Sequence, residues 1–134
     1  MSDAIRSVAR FMKLGGQPVP ECPEEVIRYP DKFAFLERLF EEYEEGTEAL
    51  SVPDLVDAFL DAAYVAFTGA VSFAGEEKAI ECWEAICSAN LSKVDGSLGP
   101  VTRNENGKIL KPEGFKTPDI ENILYPGGLE IAGY

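Results

Sequence analysis

DLVDAFLDAAYVAFTGAVSF, residues 54–73, is the stretch on which the fold turns. It contains no proline and no basic residue, and its apolar side chains occupy every side of a helical wheel. Such a helix is expected at the centre of a domain, covered by neighbours all round. Its few polar residues are aligned: Asp54, Asp57, Asp61, Thr68 and Ser72 fall at helical spacing and form one stripe. Ser51-Val52-Pro53-Asp54 supplies the start, with Ser51 as N-cap, proline in the tolerant first turn and an acid three residues on. Gly75 ends the pattern.

Upstream, Pro30-Asp31 opens a helix expected to run to Glu48. Phe33, Leu36, Phe40 and Tyr43 form its apolar stripe, and most of the rest is glutamate. Residues 1–14 read as a short helix that Gly15-Gly16 stops, and Pro18, Pro20 and Pro23 enforce an irregular segment after it. Residues 1–30 are therefore expected to be a surface arm. Downstream, Glu76–Val94 has the pattern of a third amphipathic helix with Ile80, Trp83, Cys87, Leu91 and Val94 inward, and Asn90 on the same side. Asn106-Gly107 is a type I′ turn signal and predicts a small β-hairpin. Thr117-Pro118-Asp119 caps one more short helix to Leu124, and PGGLEIAGY reads as a tail or an oligomer contact. The expected fold is all-α: one domain over 1–134, a bundle of about four helices with a short C-terminal β-hairpin. Residues 31–95 would form its core and 96–134 a basic hairpin and C-terminal segment.

The 134 residues, 46% apolar, suffice for one ordinary core. A net charge of −12 disfavours binding to nucleic acid or anionic membranes. Cys22, Cys82 and Cys87 show no CxxC spacing and the chain has no histidine, so zinc has few ligands and the thiols are expected reduced, in the cytoplasm. No export signal or membrane span is evident, because the most apolar stretch is interrupted by Asp61. The charge is also divided. Residues 21–61 hold thirteen acids against three bases, whereas residues 93–116 hold Lys93, Arg103, Lys108, Lys111 and Lys116 against three acids.

Two carboxylate clusters on consecutive helices point to a metal. Glu41, Glu42 and Glu45 share one face of the first, Asp54, Asp57 and Asp61 one face of the second, and across a helical hairpin they would meet. Acids on the most apolar helix are costly to bury unless paired or metal-bound. Magnesium takes about six oxygens and keeps waters and substrate phosphates among them, which makes a phosphate ester the natural substrate. Asn90, Lys93 and the basic segment with Arg103, Lys108 and Lys111 offer groups for phosphate. No nucleophilic triad, GxxxxGK[ST] loop or GxGxxG turn is present. A silent acidic helical module, binding a partner protein or sequestering nucleotide or metal, would explain the same charge.

In order along the chain, EEYEE (41–45), DLVD (54–57), DAFLDAAYV (57–65), SANLSKVDG (88–96) and NGKILKPEGF (106–115) resemble the all-α nucleoside triphosphate pyrophosphohydrolases, the MazG-like and phosphoribosyl-ATP pyrophosphohydrolase-like superfamily. Asp54 stands where those relatives carry glutamate. The resemblance covers about residues 33–120 and implies cleavage between the α and β phosphates to a nucleoside monophosphate and pyrophosphate, with magnesium, or manganese in its place. It implies metal ligation by Glu41, Glu42, Glu45, Asp54, Asp57 and Asp61, a catalytic role for Glu42 or Glu45, and substrate contacts from Asn90, Lys93, Lys108 and Lys111, beside which Arg103 offers a further charge for phosphate. It also implies a homo-oligomer, dimer or tetramer, with Trp83 or the C-terminal tail at the contact.

Overall fold

Residues 2–129 are described by a computed structural model. They fold as five helices, four of them long: α1 (Ser2–Leu14), α2 (Tyr29–Glu48), α3 (Val52–Ala74), α4 (Glu76–Ser92) and the short α5 (Ile120–Leu124). The chain is all-α. Ser51 caps α3, its side chain accepting from the Asp54 N–H at 3.2 Å. Asp119 does the same for α5, accepting from Asn122 N–H at 3.0 Å. Both caps satisfy amides that a helix leaves unpaired at its first turn.

α2 and α3 form an antiparallel hairpin in which Gly46 meets Ala58 and Gly69 meets Phe35, so small residues let the two backbones approach at both ends of the seam. α1 packs on α3 and α4, and α4 folds back along α3. The core lies at the open end of the hairpin, where Ile5, Val8, Ala9 and Met12 of α1 meet Val71 of α3 and Ala79 and Ile80 of α4. Phe67 and Trp83 pack beside it edge to face, centroids 5.3 Å apart.

This arrangement corrects several expectations. Helix α1 is not a surface arm: its Ile5, Val8, Ala9 and Met12 are among the most deeply buried residues of the chain. Arg6 and Lys13 on its outer side bind Glu76 at 2.7 and 2.8 Å, which fastens α1 to the first turn of α4. Helix α3, expected to be covered all round, is covered mainly in its second half. Leu55, Val56, Phe59 and Leu60 are exposed because only α2 accompanies the first half. It is long and apolar enough to cross a bilayer, with a mean hydropathy of 1.4, yet only 22% of that window is buried within the chain. Leu91 and Val94 are exposed rather than inward, since α4 ends at Ser92 and the chain leaves the helix there.

The β-hairpin does not form. Asn104 Oδ1 accepts from the amides of Asn106 and Lys108, both at 2.9 Å, and one isolated bridge joins Arg103 to Ile109, with no strand among the described residues. Two backbone bonds flank that bridge, Asn104 N–H to Lys108 C=O and Leu110 N–H to Thr102 C=O, both at 2.9 Å, so the pairing is present but closes over a single residue pair. Trp83 is half-buried against Phe67. Residues 130–134 of the tail lie outside the described residues.

The segment between α1 and α2 crosses the α3–α4 junction. Glu24 N–H donates to Phe73 C=O at 2.9 Å, and the Tyr125 hydroxyl donates to Glu24 C=O, which ties α5 back to the same strap. Arg28 binds Glu24, Asp31 and the buried Ser72 hydroxyl while lying over the Phe73 ring at 4.6 Å.

Candidate metal centre

The helical hairpin sorts its side chains into two faces. By helical spacing Glu45, Asp54, Asp57 and Asp61 fall to one side of the seam and Phe33, Leu36, Phe40, Tyr43 and Phe59 to the other, while Glu42 stands in the seam itself, lining a cavity of about 370 Å³ with Leu39, Tyr43, Leu55 and Phe59. On the acidic side, carboxylate oxygens of Glu42, Glu45 and Asp61 all lie within 4.8 Å of one another. The two motifs thus meet across the hairpin as their spacing implied.

The electrostatics are those of an uncompensated site. Glu42 Oε2 is shut off from solvent and has no hydrogen-bond partner, where buried oxygens are ordinarily satisfied. Desolvation, first, and then contact with the Glu45 carboxyl and the charges of Asp61 and Asp57 push the Glu42 carboxyl above its ordinary value. No lysine or arginine pairs with Glu42, Glu45 or Asp61 among the described residues.

The remaining acids take lesser places. Asp54 and Asp57 line a shallow depression of about 280 Å³ with Glu45, Glu48 and Ala49, adjoining the trio through Glu45. Glu41 is exposed and outside it. Asp57 and Asp61 are both exposed, which removes the argument that burial on an apolar helix demands a cation for them. The side that carries them is open because no other helix packs there.

The basic residues divide into two groups. Lys93 Nζ donates to Asn90 Oδ1 at 3.0 Å and lies 5.0 Å from the Phe115 ring centroid, with Lys111 Nζ 5.7 Å from the same ring. Neither lysine is in an ion pair among the described residues. Asn90 is exposed, so it is not the buried amide its helical position predicts, and its partner is Lys93. Arg103 instead holds the turn, donating to Gly107 C=O at 3.1 Å, and Lys108 stays exposed beside it. Phe115, not singled out from the sequence, is the surface on which both ammonium groups rest. Its position in KPEGFKTP, an aromatic residue among lysines, was the available signal.

No protein-family model matches this chain, and no curated protein matches it either.

Proposed function

We propose that the protein is a magnesium-dependent nucleoside triphosphate pyrophosphohydrolase, releasing a nucleoside monophosphate and pyrophosphate by cleavage of the α–β bond. The observation that carries the reading is the convergence of Glu42, Glu45 and Asp61 within 4.8 Å, with one solvent-excluded Glu42 oxygen left without a partner. The resemblance of the motif order to all-α pyrophosphohydrolases supplies the reaction. Glu42, Glu45 and Asp61 would hold the cation, with Asp57 and Asp54 adjoining, and manganese would serve in its place. When bound, the ion polarises a phosphoryl oxygen and acidifies water.

The chain's own residues account for the rest. Glu42 or Glu45 would orient the attacking water or accept its proton. Lys93 and Lys111, free of carboxylate partners, neutralise phosphate charge, with Arg103 and Lys108 as outer contributors. Asn90 positions Lys93. The active form is a homo-oligomer.

Incubation of the protein with ribo- and deoxyribonucleoside triphosphates and magnesium is expected to yield monophosphate and pyrophosphate. Asp61→Asn should lower turnover by ~10- to 100-fold while leaving helicity intact. A flat panel, repeated with manganese, refutes hydrolysis and leaves the silent acidic module. Unchanged turnover in Asp61→Asn refutes the metal assignment alone.

A further inference from the structure

We propose that the apolar face of the α2–α3 hairpin is the seat of a second copy of this chain, docked antiparallel across a two-fold axis near Ala63. This names the surface and occupant of the oligomer proposed above, and it rests on this face alone, not on the catalytic reading.

The face is too apolar to be left to water. Phe33, Leu36, Phe40 and Tyr43 of α2 are 60, 51, 57 and 65% exposed, and Phe59 of α3 is 69% exposed. With Leu55 and Val56 they present on the order of 700 Å² of side chain, taking 150–250 Å² for a whole aromatic residue. Monomers seldom expose one apolar patch beyond ~600 Å², and a stable dimer takes about 800 Å² from each partner. The area therefore fits a second protein surface. In a chain of net charge −12, this is also a face from which carboxylates are largely absent, so two copies can approach on it without stacking their acidic sides.

Shape and charge select the occupant and its direction. At the half of the hairpin nearer the core, Ala66, Gly69 and Ala70 floor an apolar cavity of about 470 Å³ walled by Phe35, Leu36 and Phe73. At the other half stand the knobs, Phe59 and the stacked pair Phe40 and Tyr43, centroids 6.0 Å apart. Phe59 and Ala66 are seven positions apart on one helix. A perpendicular two-fold between them sets each copy's knobs over the other's small-residue floor. A parallel pairing sets knob on knob and floor on floor. Lys32 borders the cavity end, and Glu44 and Glu48 lie toward the opposite end, so antiparallel docking also brings unlike charges together.

The test is sedimentation equilibrium of the full chain. Wild type is expected at twice 14.6 kDa at micromolar concentration. Phe59→Ala removes a knob and Ala66→Phe fills a floor; each should weaken the dimer ~10- to 100-fold with the circular dichroism of the helices unchanged. Mixed in equal amounts, the two variants should associate more tightly than either alone, because the filled floor faces the missing knob and the second contact stays intact. A wild-type mass of 14.6 kDa at 100 μM, or co-sedimentation with phosphatidylcholine vesicles in place of self-association, would overturn the proposal. Variants that dimerise like wild type move the contact elsewhere, and a mixture no tighter than its parents refutes the antiparallel pairing. None of these readings depends on nucleotide turnover.

Discussion

Replacing Gly75 by alanine probes how the fold is closed, and a second glycine supplies the control. Gly75 is at once the C-cap of α3 and the N-cap of α4, with φ 82° and ψ 165°. That region is open to glycine almost alone, and a side chain forced into it costs ~1–3 kcal/mol. A Cβ there would also stand 2.6 Å from the Pro20 carbonyl oxygen, a backbone atom of the strap between α1 and α2. The strap must then withdraw, straining the Glu24 N–H to Phe73 C=O bond of 2.9 Å, which adds about 1 kcal/mol. Gly16, by contrast, has φ 76° and nothing within 4 Å of the added carbon, so its alanine variant meets only the left-handed penalty of ~1–2 kcal/mol. At roughly 3–5 °C per kcal/mol for a chain of this size, Gly75→Ala should melt ~10–15 °C below wild type and Gly16→Ala ~3–8 °C below. Thermal unfolding followed by circular dichroism, at one protein concentration, reads both. Equal shifts would show that the Pro20 carbonyl does not press on the junction, and the steric half of the argument would fail.

Two carboxylates give opposite responses to pH. Glu42 has its carboxyl raised in the folded chain, so the folded state holds a proton there that the unfolded state has released, and its contribution to stability falls as pH rises above about 4.5. Without metal, Glu42→Gln should therefore match wild type at low pH and melt higher at neutral pH; added magnesium should stabilise wild type and not the variant. A variant that melts no higher in chelator at neutral pH would contradict the uncompensated carboxylate. Glu76 is held below its ordinary 4.5 by hydrogen bonds from Lys13 and Arg6, so its contribution is present above that value and lost as pH falls through the depressed one. Glu76→Gln should cost about 1 kcal/mol at neutral pH, discounted for the exposure of both cations, with the gap to wild type closing on acidification.

Local features could be read from residue order; what covers each helix could not. Ser51 and Asp119 announced their caps because a hydroxyl or carboxylate three residues ahead of a free amide has one evident use. A turn near Asn106-Gly107 was equally visible, but not its type. No residue other than glycine has a positive φ among the described residues, so Asn106 is not in a type I′ turn. The chain turns over Asn104–Gly107, with Gly107 N–H donating to Asn104 C=O at 3.0 Å. Ile5, Val8, Ala9 and Met12 already stand at helical spacing, so the inward face of α1 was legible; that it rather than α2 seals the core was not. Helix α2 buries none of its residues fully, although its apolar stripe is the plainer of the two. Periodicity identifies a face that wants covering without saying what covers it. For the site, spacing placed Glu42, Glu45 and Asp61 on facing stripes, but the choice of Asp61 over Asp57 and Asp54 follows from the offset of the two helices along their seam.

That offset has a consequence for how an acidic chain can both associate and hold a cation. Gly46 against Ala58 and Gly69 against Phe35 fix the stagger of α2 on α3, and the same stagger that sets Glu42 near Asp61 sets Tyr43, stacked on Phe40, in one cavity wall with Phe59. The two faces are therefore not independent inventions of sequence. Sliding one helix by a turn, about 5.4 Å, would part the carboxylates and dismantle the aromatic knobs together. Glu45 and Asp61 lie off the apolar face, and Glu42 stands between the two faces, lining a cavity with Tyr43 and Phe59, so a second copy that covers the rings would also close over Glu42. The repulsion among those carboxylates also acts to spread α2 from α3, so a cation between them and a partner across the rings would each tighten the same seam. By linkage, association should then be stronger when the cation is bound, and cation affinity greater in the associated form.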